Sequence, residues 1–267
     1  MAKMSISKAW EESKVVLLRD GRLFTTVALG LLVLPQTALG TFSPTAPAEM
    51  TTALLASLLL VVVLALAAQV TINRLAIPPS FTVADAMKRG FEKLLPLIVA
   101  MIPVFIAVLC VAYVAALFLA VTGIGSAPAP GAPPPIWLLA VLVLSGLAIY
   151  SIFQLMIAVA AAEPGGPLVL LSRAWRLGRP HYWRLTAFLA IVWAGVFFFW
   201  IVGQITSGVA VAAISGPPAT ASIGAIFVSL VRAVVQAMWT VTTSVMLARI
   251  YVQVAGASVA SVPSSGT

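Results

Sequence analysis

The side chains able to do acid–base, metal or nucleophilic chemistry are few in this sequence, and they are scattered. It holds seven acidic residues, one histidine and one cysteine in 267 residues. Hydrolysis by general acid–base or metal-assisted routes needs carboxylates and histidine gathered within hydrogen-bond reach. Here Glu49 stands alone between two apolar blocks. Glu11, Glu12, Asp20, Asp85, Glu92 and Glu163 are spread over three polar segments. His181, between Pro180 and Tyr182, reads as a residue of the membrane interface. Cys110 lies deep inside an apolar block, and one thiol makes neither an intrachain disulfide nor a metal cluster. No glycine-rich phosphate loop, Ser/His/Asp set or cysteine pair occurs. The sequence predicts no enzyme and no cofactor.

Recognition chemistry is open to the arginines and aromatic rings instead. Arg176, Arg179 and Arg184 stand close to Trp175 and Trp183, just ahead of an apolar block. A guanidinium grips phosphate through two parallel hydrogen bonds. The five residues therefore make a candidate site for anionic lipid headgroups. A plainer account is also open: the cations set topology, and the rings, with Trp10, Tyr182 and Tyr251, form an aromatic belt. Arg232 is the second candidate, inside an apolar block with Gln236 one turn further on. A charge at that depth is costly unless it faces protein or water. Its natural partner is an anionic ligand or a helix carbonyl end. The alternatives are a span that begins near Ala233 and a side chain that snorkels outward. Gln36, Gln69, Gln154, Gln204 and Gln236 also fall in the blocks, where amides pair across helices or line a polar path. No embedded carboxylate is present, which argues against a proton- or sodium-coupled carrier.

The elements that must position these residues follow from composition. Apolar residues make up 62% and charged residues only 8% of the chain, against about 25% charged in a soluble domain. A helix crosses the hydrocarbon with about 20 apolar residues. Six blocks meet that length, at about 23–42, 51–72, 95–122, 136–160, 185–208 and 222–252. The sequence thus predicts an all-α membrane protein, with one polytopic domain over 1–255 and a disordered tail over 256–267. A polar stretch with Glu11, Glu12 and Asp20 precedes the first block, so that block reads as a retained span and not a signal peptide.

Charge placement sets the orientation. The net charge is +8, and fourteen of the fifteen basic residues lie in the N-terminal segment, the second and fourth connectors and the end of the last block. The connectors 43–50, 123–135 and 209–221 carry no Lys or Arg. Positive residues stay on the cytoplasmic side, which puts both termini there. The same pattern points to anionic lipid as partner and away from nucleic acid.

Residues 4–19, 81–95 and 167–182 show apolar residues at helical spacing against basic faces, as interfacial helices do. Each precedes a pair of spans. Ser7-Lys8-Ala9-Trp10, Ala84-Asp85-Ala86-Met87 and Ser172-Arg173-Ala174-Trp175 occupy like places in the three segments. A threefold repeat of one interfacial helix and one transmembrane hairpin is the expectation.

The stretch Ala161-Ala162-Glu163-Pro164-Gly165-Gly166-Pro167, running on through Ser172-Arg173-Ala174-Trp175-Arg176-Leu177-Gly178-Arg179 to Trp183-Arg184, resembles a family of bacterial integral membrane proteins. These are related to the membrane domain of some glycerophosphoryl diester phosphodiesterases and to the stand-alone YciC-like proteins. Ala248-Arg249-Ile250-Tyr251-Val252-Gln253 is similar to the family's last helix. The resemblance implies a bacterial inner membrane. It implies no hydrolase activity, because the sequence carries no phosphodiesterase domain. Two functions remain open. One is a non-enzymatic protein that supports envelope lipid homeostasis by binding phospholipid, a membrane-protein partner or a second copy. The other is a transporter or channel with a polar path near Arg232 and Gln236. The topology has a direct test: a cysteine placed in 123–135 will react with a membrane-impermeant maleimide on intact spheroplasts. Labelling only after lysis would overturn the assignment.

Overall fold

Residues 4–42, 51–78, 82–122, 136–215 and 221–260 are described by a computed structural model, and among them there is no strand. A chain in lipid must satisfy its backbone groups within each segment, and helices do so. Among the described residues there are nine α-helices: α1 Ile6–Ala28, α2 Leu34–Phe42, α3 Thr52–Ala76, α4 Val83–Glu92, α5 Leu94–Thr122, α6 Ile136–Ala162, α7 Pro167–Gly178, α8 Tyr182–Ser215 and α9 Ile223–Ala260. Six helical stretches are long and apolar enough to cross a membrane.

Several boundaries differ from the sequence reading. The helix over 4–19 and the span over 23–42 are one continuous run, bent at Asp20 (φ −110°, ψ 16°). A π-helical turn, Leu29–Val33, joins α1 to α2. Pro35 follows at once, and a proline that cannot donate to the preceding turn gives the reason for the widened ladder. The connector read over 209–221 is helical as far as Ser215, because Val209, Ala210, Val211, Ala212 and Ala213 continue the apolar run. The helical path of α9 extends to Ala260. Residues 256–260, expected to be disordered, are therefore helical, and 261–267 lie outside the described residues, as do 43–50 and 123–135.

Helix α9 sits at the centre, packed on α1, α2, α3, α6 and α8, and α3 also packs on α6. Burial is densest over Leu66 to Ala76 at the end of α3, Phe153 to Ala161 at the end of α6 and Val245 to Tyr251 in the second half of α9. Elsewhere large apolar side chains face outward, among them Leu59, Phe105, Phe198 and Phe199.

The short helices approach the long ones through small residues. Ala9, Ala86 and Ala174 are fully buried, and four residues after each stand Ser13, Gly90 and Gly178, also buried. Residues four apart share a helix face, so each pair offers a flat contact. Helix α4 lies on α3, α7 on α6, and α1 on α9. The tightest contact is at Gly90, where an added Cβ would stand 2.5 Å from Thr71 Oγ1 and 2.8 Å from the Ala67 carbonyl. Thr71 Oγ1 bonds the Ala67 carbonyl at 2.8 Å and reaches the Ala86 carbonyl at 3.4 Å. Substituting Gly90→Ala must push α4 off α3 and will destabilise by about 1–3 kcal/mol, read as a lowered melting temperature in detergent. Gly146→Ala, with open space around it, will be neutral or better.

Candidate functional site

The C-terminal end of α6 draws in the basic residues. The last carbonyls of a helix lack intrahelical donors, and cations there also meet the negative end of the helix dipole. Arg74, in the last turn of α3, donates to the Ala161 carbonyl at 3.2 Å. Arg89 of α4 donates to the Glu163 carbonyl at 2.8 Å. Lys93, between α4 and α5, donates to the Gly165 carbonyl at 3.0 Å. Burial, and then the charge of Arg89, pull the Lys93 ammonium below its usual pKa, while Glu92 acts the other way. The carboxylate of Glu163 completes the knot. It accepts the Tyr251 hydroxyl at 2.7 Å and Arg173 Nε at 3.2 Å, so α7 and α9 end on the same acid. An open cavity of about 600 Å³ beside it is lined by Arg74, Lys88 and Arg89, but also by Asp85 and Glu92. The two acids offset the cations, and the cavity is no dedicated anion seat.

The predicted headgroup residues lie apart from this knot. Trp175, Arg176, Arg179, Trp183 and Arg184 are all exposed on α7, the turn after it and the start of α8. Trp183 is 80% exposed. Tyr182 lies between the two indoles, with ring centroids 6.5 Å from Trp175 and 5.5 Å from Trp183. Among the described residues, Arg176, Arg179 and Arg184 have no acidic partner within salt-bridge distance. All five are thus exposed along one stretch of the chain, a surface strip in which Tyr182 links the two indoles.

Arg232 and Gln236 do share a cavity. Helix α9 starts at Ile223, so Arg232 lies about 13 Å along it, not at its outer end. The helix is continuous on both sides of Arg232, and the side chain is exposed there. The guanidinium stands over the Trp200 ring, 5.6 Å from its centroid. A cation over an indole face is attracted by the ring quadrupole. Helix α2 closes on α9 at Gly40, where a Cβ would meet Ser229 Oγ at 2.8 Å. That approach brings Gln36 to a cavity of about 460 Å³ with Trp200, Ser229, Arg232 and Gln236. A second cavity of about 350 Å³ shares Trp200 and Gln236 and adds Gln69 of α3, Gln154 of α6 and Trp193 of α8. Gln154 donates to the Tyr150 hydroxyl, and Tyr150 meets Trp193 edge to face at 5.5 Å.

Sequence reasoning named five glutamines and did not see that four of them, Gln36, Gln69, Gln154 and Gln236, line two adjoining cavities. It also missed the Glu163 knot. The density of Arg and Lys around residues 74, 89 and 93 was a visible signal, but nothing in the spacing linked them to the end of α6. Comparison with known proteins returns no match at three levels: no family model matches the chain, no curated protein matches it, and no solved structure matches it.

The Glu163 knot makes a measurable prediction. Tyr251→Phe removes one hydrogen bond to a carboxylate and will cost about 1.5–3 kcal/mol. Paired with Glu163→Gln, the two losses will not add, and a double-mutant cycle by thermal unfolding will give a coupling of about 0.5–3 kcal/mol.

Proposed function

We propose that the protein is a non-enzymatic, multi-pass protein of a bacterial inner membrane that binds anionic phospholipid at its basic, cytoplasmic end. One observation carries this reading: the division of labour among the cations. Arg74, Arg89 and Lys93 are engaged by backbone carbonyls at and just beyond the end of α6. Arg173, Arg19, Lys14 and Lys8 are engaged by carboxylates. Among the described residues, Arg176, Arg179 and Arg184 have no such partner, and neither do Arg22 and Lys88; the three arginines stand beside two exposed indoles. Free guanidinium groups at a membrane surface attract anionic headgroups, by about 1 kcal/mol each. Indoles at the same level suit the boundary between water and acyl chain.

The likeness of the 161–184 stretch to the membrane domain of glycerophosphoryl diester phosphodiesterases and to YciC-like proteins belongs to the same proposal. So does the threefold repeat. What supports the repeat is the like burial of Ala9, Ala86 and Ala174 and the like docking of α1 on α9, α4 on α3 and α7 on α6. Each short helix lies on the last helix of another unit, and the pattern closes on itself.

A second reading, a carrier of small molecules or lipid, is favoured by the two cavities that meet at Trp200 and Gln236.

The lipid reading has a simple test. Protein purified in mild detergent will retain phosphatidylglycerol over phosphatidylcholine, measured by mass spectrometry of the extracted lipid. Substituting Arg176, Arg179 and Arg184 together by glutamine will reduce that excess by about tenfold or more, and added salt will reduce it in the unsubstituted protein. Unchanged retention in the triple variant would sink the surface-strip assignment.

A further inference from the structure

We propose that the crevice between α8 and α9 is a headgroup site for an anionic membrane lipid, with Arg232 holding the anion and the glutamines holding the rest of the head. The inference rests on reading α8 and α9 as membrane spans, and not on the strip around Trp175.

Charge argues first. Arg232 is the one basic residue in the lining of either cavity, and neither lining contains Asp or Glu. Arg232 is more than two turns from the start of α9 and is exposed, and a guanidinium that faces hydrocarbon needs a compensating group. Trp200 supplies part of that, through the ring face. A ring face holds the cation without using its N–H donors, which stay free to clasp a phosphate or carboxylate in bidentate fashion.

Hydrogen-bond capacity argues next. Gln36 and Ser229 stand in the cavity with Arg232, and Gln236 opens to both cavities. Gln69 and Gln154 line the inner one. Four amides from α2, α3, α6 and α9 therefore converge on one path. Among the described residues, the amides of Gln69 and Gln236 have no side-chain partner in the chain, whereas Gln154 meets Tyr150. An acyl chain has no use for such groups. Ester carbonyls and hydroxyls of a headgroup do.

Exposure argues last, and it selects a lipid over a free anion. The α8 wall carries Trp193, 48% exposed, and Phe197, 59% exposed. Leu58 of α3, 43% exposed, flanks the Arg232 side. The crevice thus opens sideways, where acyl chains run, between apolar rims. A lipid can put its head among the amides and leave its tails outside without removing them from hydrocarbon. The two volumes, about 350 and 460 Å³, fall in the range of about 300–1,000 Å³ typical of small-ligand sites.

Tryptophan fluorescence reads this site, since Trp193, Trp200 and Trp239 line it. The protein is reconstituted in phosphatidylcholine nanodiscs that contain a titrated fraction of acyl-brominated phosphatidylglycerol, or of acyl-brominated phosphatidylcholine as control. The brominated anionic lipid will quench at a lower mole fraction than the zwitterionic one. Arg232→Gln will weaken that preference about tenfold, as loss of a charge-assisted hydrogen bond should. Arg232→Lys will keep most of it, and Trp200→Phe will reduce the quenchable signal. Gln236→Leu gives a second variant that leaves the cation in place and will also weaken the preference. Carrying out the titration in the Arg176→Gln, Arg179→Gln, Arg184→Gln background separates this site from the surface strip, because the Arg232-dependent part will persist there. Equal quenching by both lipids, or an unchanged preference in Arg232→Gln, overturns the proposal. So does displacement of the brominated lipid by inorganic phosphate, which would assign the crevice to a soluble anion.

Discussion

The end of α6 is the constraint on which the arrangement turns. A helix that finishes at the edge of a bilayer leaves carbonyls that need donors, and lipid offers none. Arg74 of α3 supplies one at Ala161, while Arg89 of α4 and Lys93, between α4 and α5, bond the carbonyls of Glu163 and Gly165 just beyond the helix. Glu163, one residue beyond the helix, gathers Arg173 and Tyr251. Five other elements are thereby located by one helix terminus. The same demand decides which cations are left over. A guanidinium already bound to a carbonyl contributes little to an external phosphate; the α7–α8 strip and Arg232 are among the cations that the knot leaves over, with Arg22, Lys88 and Arg249.

Close approach of the short helices is the second requirement. In lipid there is no hydrophobic force between apolar helices, and contact relies on van der Waals fit and small residues. Gly90 lets α4 settle on the backbone of α3, and the buried Ala9–Ser13 and Ala174–Gly178 pairs do the same for α1 and α7. The contact positions then carry the basic faces of these helices to the ends of the spans. Without α4 against α3, Arg89 could not reach the Glu163 carbonyl.

Six spans were readable because block length and low charge leave a chain no other way to fold. The polar positions at their ends were harder. Residues 4–19 and 23–42 read as two helices, since a polar face gives way to an apolar block near Asp20. The backbone stays helical and only bends there, because the bend needs one residue and not a loop. The 256–260 segment has small residues without a pattern, yet it continues α9, since nothing before it ends the helix. Arg232 breaks the charge pattern of the sequence, while its neighbour Trp200 lies on another helix and had no signature in spacing. The convergence of Gln36, Gln69, Gln154 and Gln236 was invisible for the same reason. Each glutamine is one residue in an apolar block, and only the packing of α2, α3 and α6 on α9 brings them together.

The choice of amides at those positions bears on what Arg232 can do. A carboxylate at residue 236, one turn from the guanidinium, would form an intrahelical ion pair, and in a low-dielectric setting such a pair would be strong. It would neutralise the cation and leave nothing for an outside anion. An amide at the same place can bond a ligand as donor or acceptor without cancelling the charge. Trp200 acts in the same sense: it steadies the guanidinium through its π face and leaves the N–H edge open. An arginine that only reaches the headgroup layer needs no ring beneath it and no amides beside it, because a flexible side chain snorkels unaided. Arg232 has both, with Trp200 under the guanidinium and Gln36 and Gln236 in the same cavity.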